Sequence, residues 1–281
     1  MTAHPIRTRL PSGEGVPVLG LGTWYLGQGR RPIGEELAAL RLGLDLGMTL
    51  IDTAGMYGKG AAEELVGEAI AGRRDQVFLV SKVLPGHATR EGTIVACEQS
   101  LRRLRTDRLD LYLLHWRGHV PLAETVSAFE TLYRAGKIRH FGVSNFDTDD
   151  MADLWSVPGG TAAVTDQVLY NLRHRGIEWD LLPWCQKHGL PVMAYSPIEQ
   201  GRLLRNPVLQ RVAARHRATP AQLALAWTVR DDGLIAVPRS GTSAHVRENR
   251  RAADLRLTAQ DLTMLDAAFP PPHHKQRLEM L

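Results

Sequence analysis

The sequence predicts an α/β protein of the (β/α)8 TIM-barrel class with a short N-terminal β-hairpin. Three features point there. Short apolar runs alternate with helical patterns about eight times, in a chain of 281 residues that sits near the roughly 250-residue size of such barrels. Several runs are continuously apolar, as strands covered on both faces must be. The residues that close the runs are nearly all polar or aromatic: Thr23-Trp24, Asp52, Lys82, His115, Ser144-Asn145, Gln167, Tyr195-Ser196 and Val237-Pro238-Arg239. A barrel carries its function at those strand ends. A doubly wound open sheet is the alternative. Against it, Gly20 and Gly22 are followed by Thr23, Trp24 and Tyr25, so the third glycine of a dinucleotide-binding fingerprint is missing. No linker or low-complexity tract interrupts the chain, and one domain over 1–281 is expected.

Taken in order, 6–9 and 16–19 flank Pro-Ser-Gly-Glu-Gly and read as the hairpin. Strand-like runs follow at 19–22, 50–52, 77–82, 109–114, 140–144, 163–167, 191–195 and 234–238. Between them lie helical patterns at 35–46, 62–71, 89–104, 122–135, 148–155, 178–188 and 206–230. The last is broken at Thr219-Pro220, since proline suits the first turn of a new helix. Thr89, and Asp147 or Thr148, stand where N-caps belong, and Gly136 and Gly189 follow helix ends.

Bulk properties exclude several functions. A 44% hydrophobic, 23% charged composition is that of a soluble globular protein, and no run approaches the roughly 18 apolar residues of a membrane span. The N-terminal residues lack a signal peptide's apolar core. Cys97 and Cys185 have no metal-type spacing and read as free thiols of a reducing cytoplasm. The net charge of +4 comes from arginines spread along the chain without interleaved aromatics, so no nucleic-acid partner is expected. A mild positive field suits an anionic phosphorylated cofactor. His273-His274 lack a carboxylate partner and no metal site is expected. Ser81 and Ser144 lack the glycines of a nucleophile elbow.

The stretch MTLIDTAGMYG, residues 48–58, ends an apolar run on Asp52 and delivers Tyr57 five residues later. Alone, each has a structural reading, as a cap and as packing. The next two runs end on Lys82, one of only five lysines, and on His115. A free tyrosine, with a pKa of about 10, is a poor acid near neutrality. A neighbouring ammonium lowers that value, a carboxylate anchors the ammonium, and an imidazole orients a substrate oxygen. Such a set can hand a proton to an oxygen becoming an alkoxide, as carbonyl reduction by a hydride donor requires.

GLGTW, IDTAGMYG, FLVSK, LDLYLLHW, GKIRHFGVSN, DQVLYN and MAYSP together make the chain resemble an aldo-keto reductase from Gly20 to about Phe269. It is most similar to compact bacterial members that reduce small aldehydes and 2-oxoaldehydes such as methylglyoxal. The resemblance implies a tetrad of Asp52, Tyr57, Lys82 and His115, with Tyr57 the general acid. It implies cofactor contacts from Thr23, Ser144, Asn145 and Gln167, with the last three near the nicotinamide carboxamide. Tyr195 would stack on the nicotinamide ring, and Ser196, Leu203, Arg239, Ser240 and Asn249 would meet the pyrophosphate and adenosine end.

Two departures bear on cofactor and substrate. Where many members hold the 2′-phosphate with Lys then Arg, this chain has Arg239 and His245, with Arg247 nearby. Arg239 can still grip the phosphate, which favours NADPH over NADH. Only PPPHHKQRLEML follows the last helix, so a more open substrate pocket is expected, bounded by Trp24, Tyr25 and Trp116. A cytoplasmic monomer acting on a small carbonyl compound is the expectation. The competing readings are a cofactor-binding regulatory subunit without turnover and a lyase using Lys82 as a Schiff base.

Overall fold

The computed structural model describes residues 7–281. Ile6, the first residue of the expected hairpin, lies outside them. The hairpin pairs β1 (Arg7–Arg9) with β2 (Gly15–Pro17), Thr8 facing Val16. Eight parallel strands then wind in sequence order: β3 (Leu21–Gly22), β4 (Leu50–Asp52), β5 (Phe78–Val83), β6 (Leu109–Leu114), β7 (Ile138–Ser144), β8 (Asp166–Leu169), β9 (Val192–Tyr195) and β10 (Leu234–Ala236). Parallel bridges Leu19–Ala236 and Gly22–Arg239 join the last strand to the first and close the barrel. That closure needs a glycine, because a Cβ on Gly22 would lie 2.6 Å from the carbonyl oxygen of Val237.

Residues of one parity along each strand point inward. Leu50, Phe78, Val80, Leu111, Leu113, Met193, Ile235 and Val237 fill the interior, and Leu10 and Val16 of the hairpin close its lower end. The other parity, with Leu79, Tyr112, Val143 and Val168, packs against the outer helices. Inward parity continued one step further reaches Asp52, Lys82, His115, Tyr195 and Arg239. Asp52, Lys82 and His115 are thus carried above the apolar layers by strand periodicity alone.

The helices are α1 (Ile33–Asp45), α2 (Ala61–Ala69), α3 (Arg90–Leu104), α4 (Leu122–Arg134), α5 (Thr148–Ser156), α6 (Leu181–Lys187), α7 (Pro207–Arg215), α8 (Pro220–Thr228), α9 (Ser243–Arg251) and α10 (Ala259–Ala268). Thr89 caps α3 by accepting from the amide of Gly92, and Asp147 forms a capping box with Asp150. Thr219 does the same with Gln222, ahead of Pro220 at the first turn of α8. The long 206–230 pattern is therefore two helices. The eighth strand is shorter than its apolar run, and α9 and α10 lie beyond the strand–helix patterns read in the sequence. Among the described residues no helix is long and apolar enough to cross a membrane.

Candidate active site

The strand ends surround a cavity of about 660 Å³. Lys82 is its buried pivot. Its Nζ donates to Asp52 Oδ1 at 2.7 Å, to the Thr53 carbonyl at 2.9 Å and to Tyr57 Oη at 3.2 Å. All three donor positions of the ammonium are used, which offsets its loss of water. Tyr57 arrives from the tight turn Tyr57–Gly60 after β4, in which Gly58 and Lys59 both take left-handed backbone angles. His115 follows β6; its ring meets that of Tyr57 edge-on at 5.9 Å and that of Trp116 at 5.0 Å.

Burial makes ionisation of the Tyr57 phenol costly, and the attraction of Lys82 does not recover that cost, so its pKa lies above the ordinary 10.0. The negative charge of Asp52 adds to the rise. This reverses the sequence-based expectation of a lowered value: desolvation outweighs the ammonium. Burial also pulls the Lys82 ammonium down, but Asp52 and Tyr57 more than restore it, and its pKa is raised. Burial, helped by Lys82, pushes the His115 imidazole from 6.5 down to about 2. His115 is therefore a neutral ring at any working pH, and its buried Nδ1 has no partner among the described residues.

The other strand ends form a bonded rim. Ser144 Oγ donates to the Gln167 carbonyl at 2.8 Å. Asn145, held at φ +59°, donates to the His115 carbonyl at 3.0 Å and accepts from the Tyr195 hydroxyl at 2.9 Å. Gln167 donates to Asp52 Oδ1 at 2.9 Å. Ser196, Gln200 and Tyr25 also take positive φ, so four cavity residues sit in backbone conformations that side chains disfavour.

Of the residues singled out in the sequence, Asp52, Tyr57, His115, Ser144, Asn145, Gln167, Tyr195, Ser196, Arg239, His245 and Asn249 line this cavity, as do Trp24, Tyr25 and Trp116. Lys82 lies beneath it. Thr23 is fully buried, and its hydroxyl holds the Asp52 carbonyl at 3.0 Å. Ser240 is buried and accepts from Asn249 at 2.7 Å. Leu203 packs in the outer core, while its neighbour Leu204 faces the cavity.

The tail borders the mouth that the sequence leaves open. Lys275 pairs with Asp149 and Asp180, and Glu279 pairs with His174 at 2.7 Å. These contacts bring Met280 and Leu281 into the cavity wall. Sequence reading also passed over Arg30 and Met56, both at the cavity. Arg30 belongs to an exposed Gly-Gln-Gly-Arg-Arg loop with no periodicity to flag it.

A nicotinamide dinucleotide fits this donor set. Tyr195, its hydroxyl tied to Asn145, supplies an aromatic ring to the cavity lining. Opposite β6 and β7 in the strand order, where β10 meets β3, Arg239 and Arg30 face the cavity, and no carboxylate lies within ion-pair distance of either among the described residues. A ligand planar at one end and anionic at the other satisfies both. Among the described residues no cluster of three or more His, Cys, Asp or Glu side chains is placed to hold a metal.

The sequence model of the Aldo/keto reductase family matches residues 18–269. The chain is 52% identical over 271 residues to methylglyoxal reductase YeaE of Escherichia coli, covering 95% of each. It is 34% identical over 262 residues to glyoxal reductase of Bacillus subtilis, covering 92% of this chain and 91% of that one. A solved aldo-keto reductase from Klebsiella pneumoniae, in complex with NADPH, superposes with a TM-score of 0.97 at 51% identity over the full length of both chains.

Proposed function

This chain belongs to the aldo/keto reductase family, and we propose that it reduces small aldehydes and ketones, 2-oxoaldehydes such as methylglyoxal among them, to alcohols with NADPH. The observation that carries the reading is the Asp52–Lys82–Tyr57 chain of contacts at 2.7 and 3.2 Å, ending at a cavity beside a neutral His115. NADPH, when bound, supplies the hydride. Tyr57, Lys82 and His115 manage the carbonyl oxygen, while Tyr195 and the arginines hold the dinucleotide.

A carbonyl oxygen set between Tyr57 Oη and the His115 ring accepts hydrogen bonds from both. As its carbon is reduced it becomes an alkoxide, a far stronger base than a phenolate. The phenol surrenders its proton at that stage even though burial has raised its pKa. Until then it stays protonated, which a general acid must be. Lys82, 3.2 Å away, faces the phenolate left behind, and its ammonium needs no reorganisation to do so. His115 positions the oxygen and does not compete as the acid, because its ring carries no ionisable proton near neutrality.

The same electrostatics weigh against a Schiff base at Lys82, since Asp52 and Tyr57 hold the amine charged and a charged amine is no nucleophile. The wall of Trp24, Trp116, Met56, Met280 and Leu281 suits a small, largely apolar substrate. The test is NADPH consumption, followed by near-ultraviolet absorbance, with methylglyoxal and an aldehyde panel, beside NADH and beside Tyr57→Phe. Turnover by the wild type and its loss in the variant supports the reading. Bound NADPH without turnover of any aldehyde would leave a cofactor-binding subunit.

A further inference from the structure

Tyr25 was placed by sequence among the substrate-facing aromatics, yet its ring belongs to a different group. The guanidinium carbon of Arg30 lies 3.6 Å from its centroid, and the Trp24 ring lies 4.3 Å from it at an interplanar angle of 22°. Two groups cannot share one face at those distances. Tyr25 is therefore sandwiched, with Trp24 on one side and Arg30 on the other. Arg239 approaches the same ring at 6.0 Å. The left-handed φ of +69° at Tyr25 is the backbone cost of presenting the ring this way.

Stacking occupies the face of a guanidinium and leaves its N–H edges free to meet an anion in two-pronged fashion. Arg30 has no carboxylate within ion-pair distance among the described residues, and Arg31 has only Glu35 at 3.9 Å, both half-exposed. Arg31 also lies against Gly241, in the loop that carries Arg239 into α9. Burial, followed by repulsion from Arg30 and Arg31, holds the Arg239 guanidinium below its ordinary pKa. Glu36 offsets this repulsion only in part and pairs with neither Arg30 nor Arg239, and like charges gathered without an ion-pair partner among the described residues mark a place that a bound anion relieves.

Resting on the NADPH-dependent reading, we propose that Arg30, laid on Tyr25 and facing the cavity beside Arg239, is the second guanidinium gripping the 2′-phosphate of NADPH. Tyr25 is its platform. Arg30 then sets the choice between NADPH and NADH from the β3–α1 loop, in addition to Arg239.

The test is calorimetric titration of NADPH, NADH and adenosine 2′,5′-bisphosphate into wild type, Arg30→Ala, Arg31→Ala, Tyr25→Leu and Tyr25→Phe, all as the full chain. The proposal expects Arg30→Ala to weaken NADPH and the bisphosphate by about 10- to 100-fold, the range of a charge-assisted pair, and NADH by less than about twofold. Tyr25→Leu should give a smaller loss of the same selectivity, and Tyr25→Phe, which keeps the stacking face, none. Equal weakening of NADPH and NADH would mean a pyrophosphate contact and overturn it. So would an unchanged affinity for NADPH, or an Arg31→Ala loss as large as that of Arg30→Ala, which would mean a diffuse field. Wild type that binds neither dinucleotide would sink the reductase reading itself, whereas intact NADPH binding in Arg30→Ala sinks only this one.

Discussion

Gln167 donates its side-chain amide to Asp52 Oδ1 at 2.9 Å, across 115 residues of sequence. That oxygen also receives the Lys82 ammonium at 2.7 Å, so β4, β5 and β8 meet at one carboxylate oxygen. A residue expected to touch the nicotinamide thus also braces the group that anchors Lys82.

Gln167→Leu removes one of the two donors and leaves the other. We expect kcat for aldehyde reduction to fall about tenfold at saturating NADPH, the effect of one lost hydrogen bond of roughly 1–1.5 kcal/mol. An unchanged kcat accompanied by a raised Kd for NADPH would show that Gln167 serves the cofactor and not the carboxylate.

Lys82 and Asp52 form a buried pair, their side chains 0% and 5% exposed. Lys82→Met strands a carboxylate in the barrel, which costs about 3–5 kcal/mol, and also removes activity. In Lys82→Met with Asp52→Asn the stranded charge is gone. We expect urea unfolding to show at least half of the lost stability restored, while NADPH consumption stays absent. Strictly additive losses in the double variant would contradict a coupled pair.

Much of this was legible because strand parity is a rule of geometry. Leu111 and Leu113 point inward, so His115, two residues on, must stand above them; Leu50 does the same for Asp52 and Val80 for Lys82. What parity cannot say is depth. Thr23 and Ser240 close strand ends as Asp52 does, yet hydrogen bonds to Asp52 and Asn249 turn them inward. Leu203 and Leu204 differ only in which way a turn of 3-10 helix faces them. The tail was illegible for another reason: Lys275 and Glu279 find partners at Asp149, Asp180 and His174, and such long-range pairs leave no local pattern. The sign of the Tyr57 shift depended on how fully the phenol is desolvated, which no spacing reveals.

His115 offers a test in acid. Its imidazole titrates near 2 in the folded protein against 6.5 ordinarily. Between those values the unfolded chain binds a proton that the native chain does not, so stability falls as pH drops below about 6.5. His115→Gln removes this dependence. Relative to wild type, the variant should gain about 2–3 kcal/mol in unfolding free energy between about pH 7 and about pH 4.5. Parallel stability curves over that range would place the imidazole in water.

Asp166 carries the opposite sign. It opens β8 on the outward parity, fully buried, and among the described residues neither carboxyl oxygen has a hydrogen bond of good geometry, the Phe146 amide approaching without completing one. Burial pushes its pKa well above the ordinary 3.8, against a weaker pull from the Phe146 amide. The native carboxyl keeps its proton while the unfolded chain releases one, so stability is lost as pH rises above about 4. Asp166→Asn keeps the shape and removes the titration. We expect its Tm to match wild type near pH 4 and to exceed it by several degrees near pH 8, on the scale of about 2–4 °C per kcal/mol for a chain of this size. Because the side chain faces the helices and not the cavity, kcat for aldehyde reduction should be unchanged. A Tm difference that is the same at both pH values would mean that the asparagine acts through packing, and that the buried acid imposes no pH dependence on the fold.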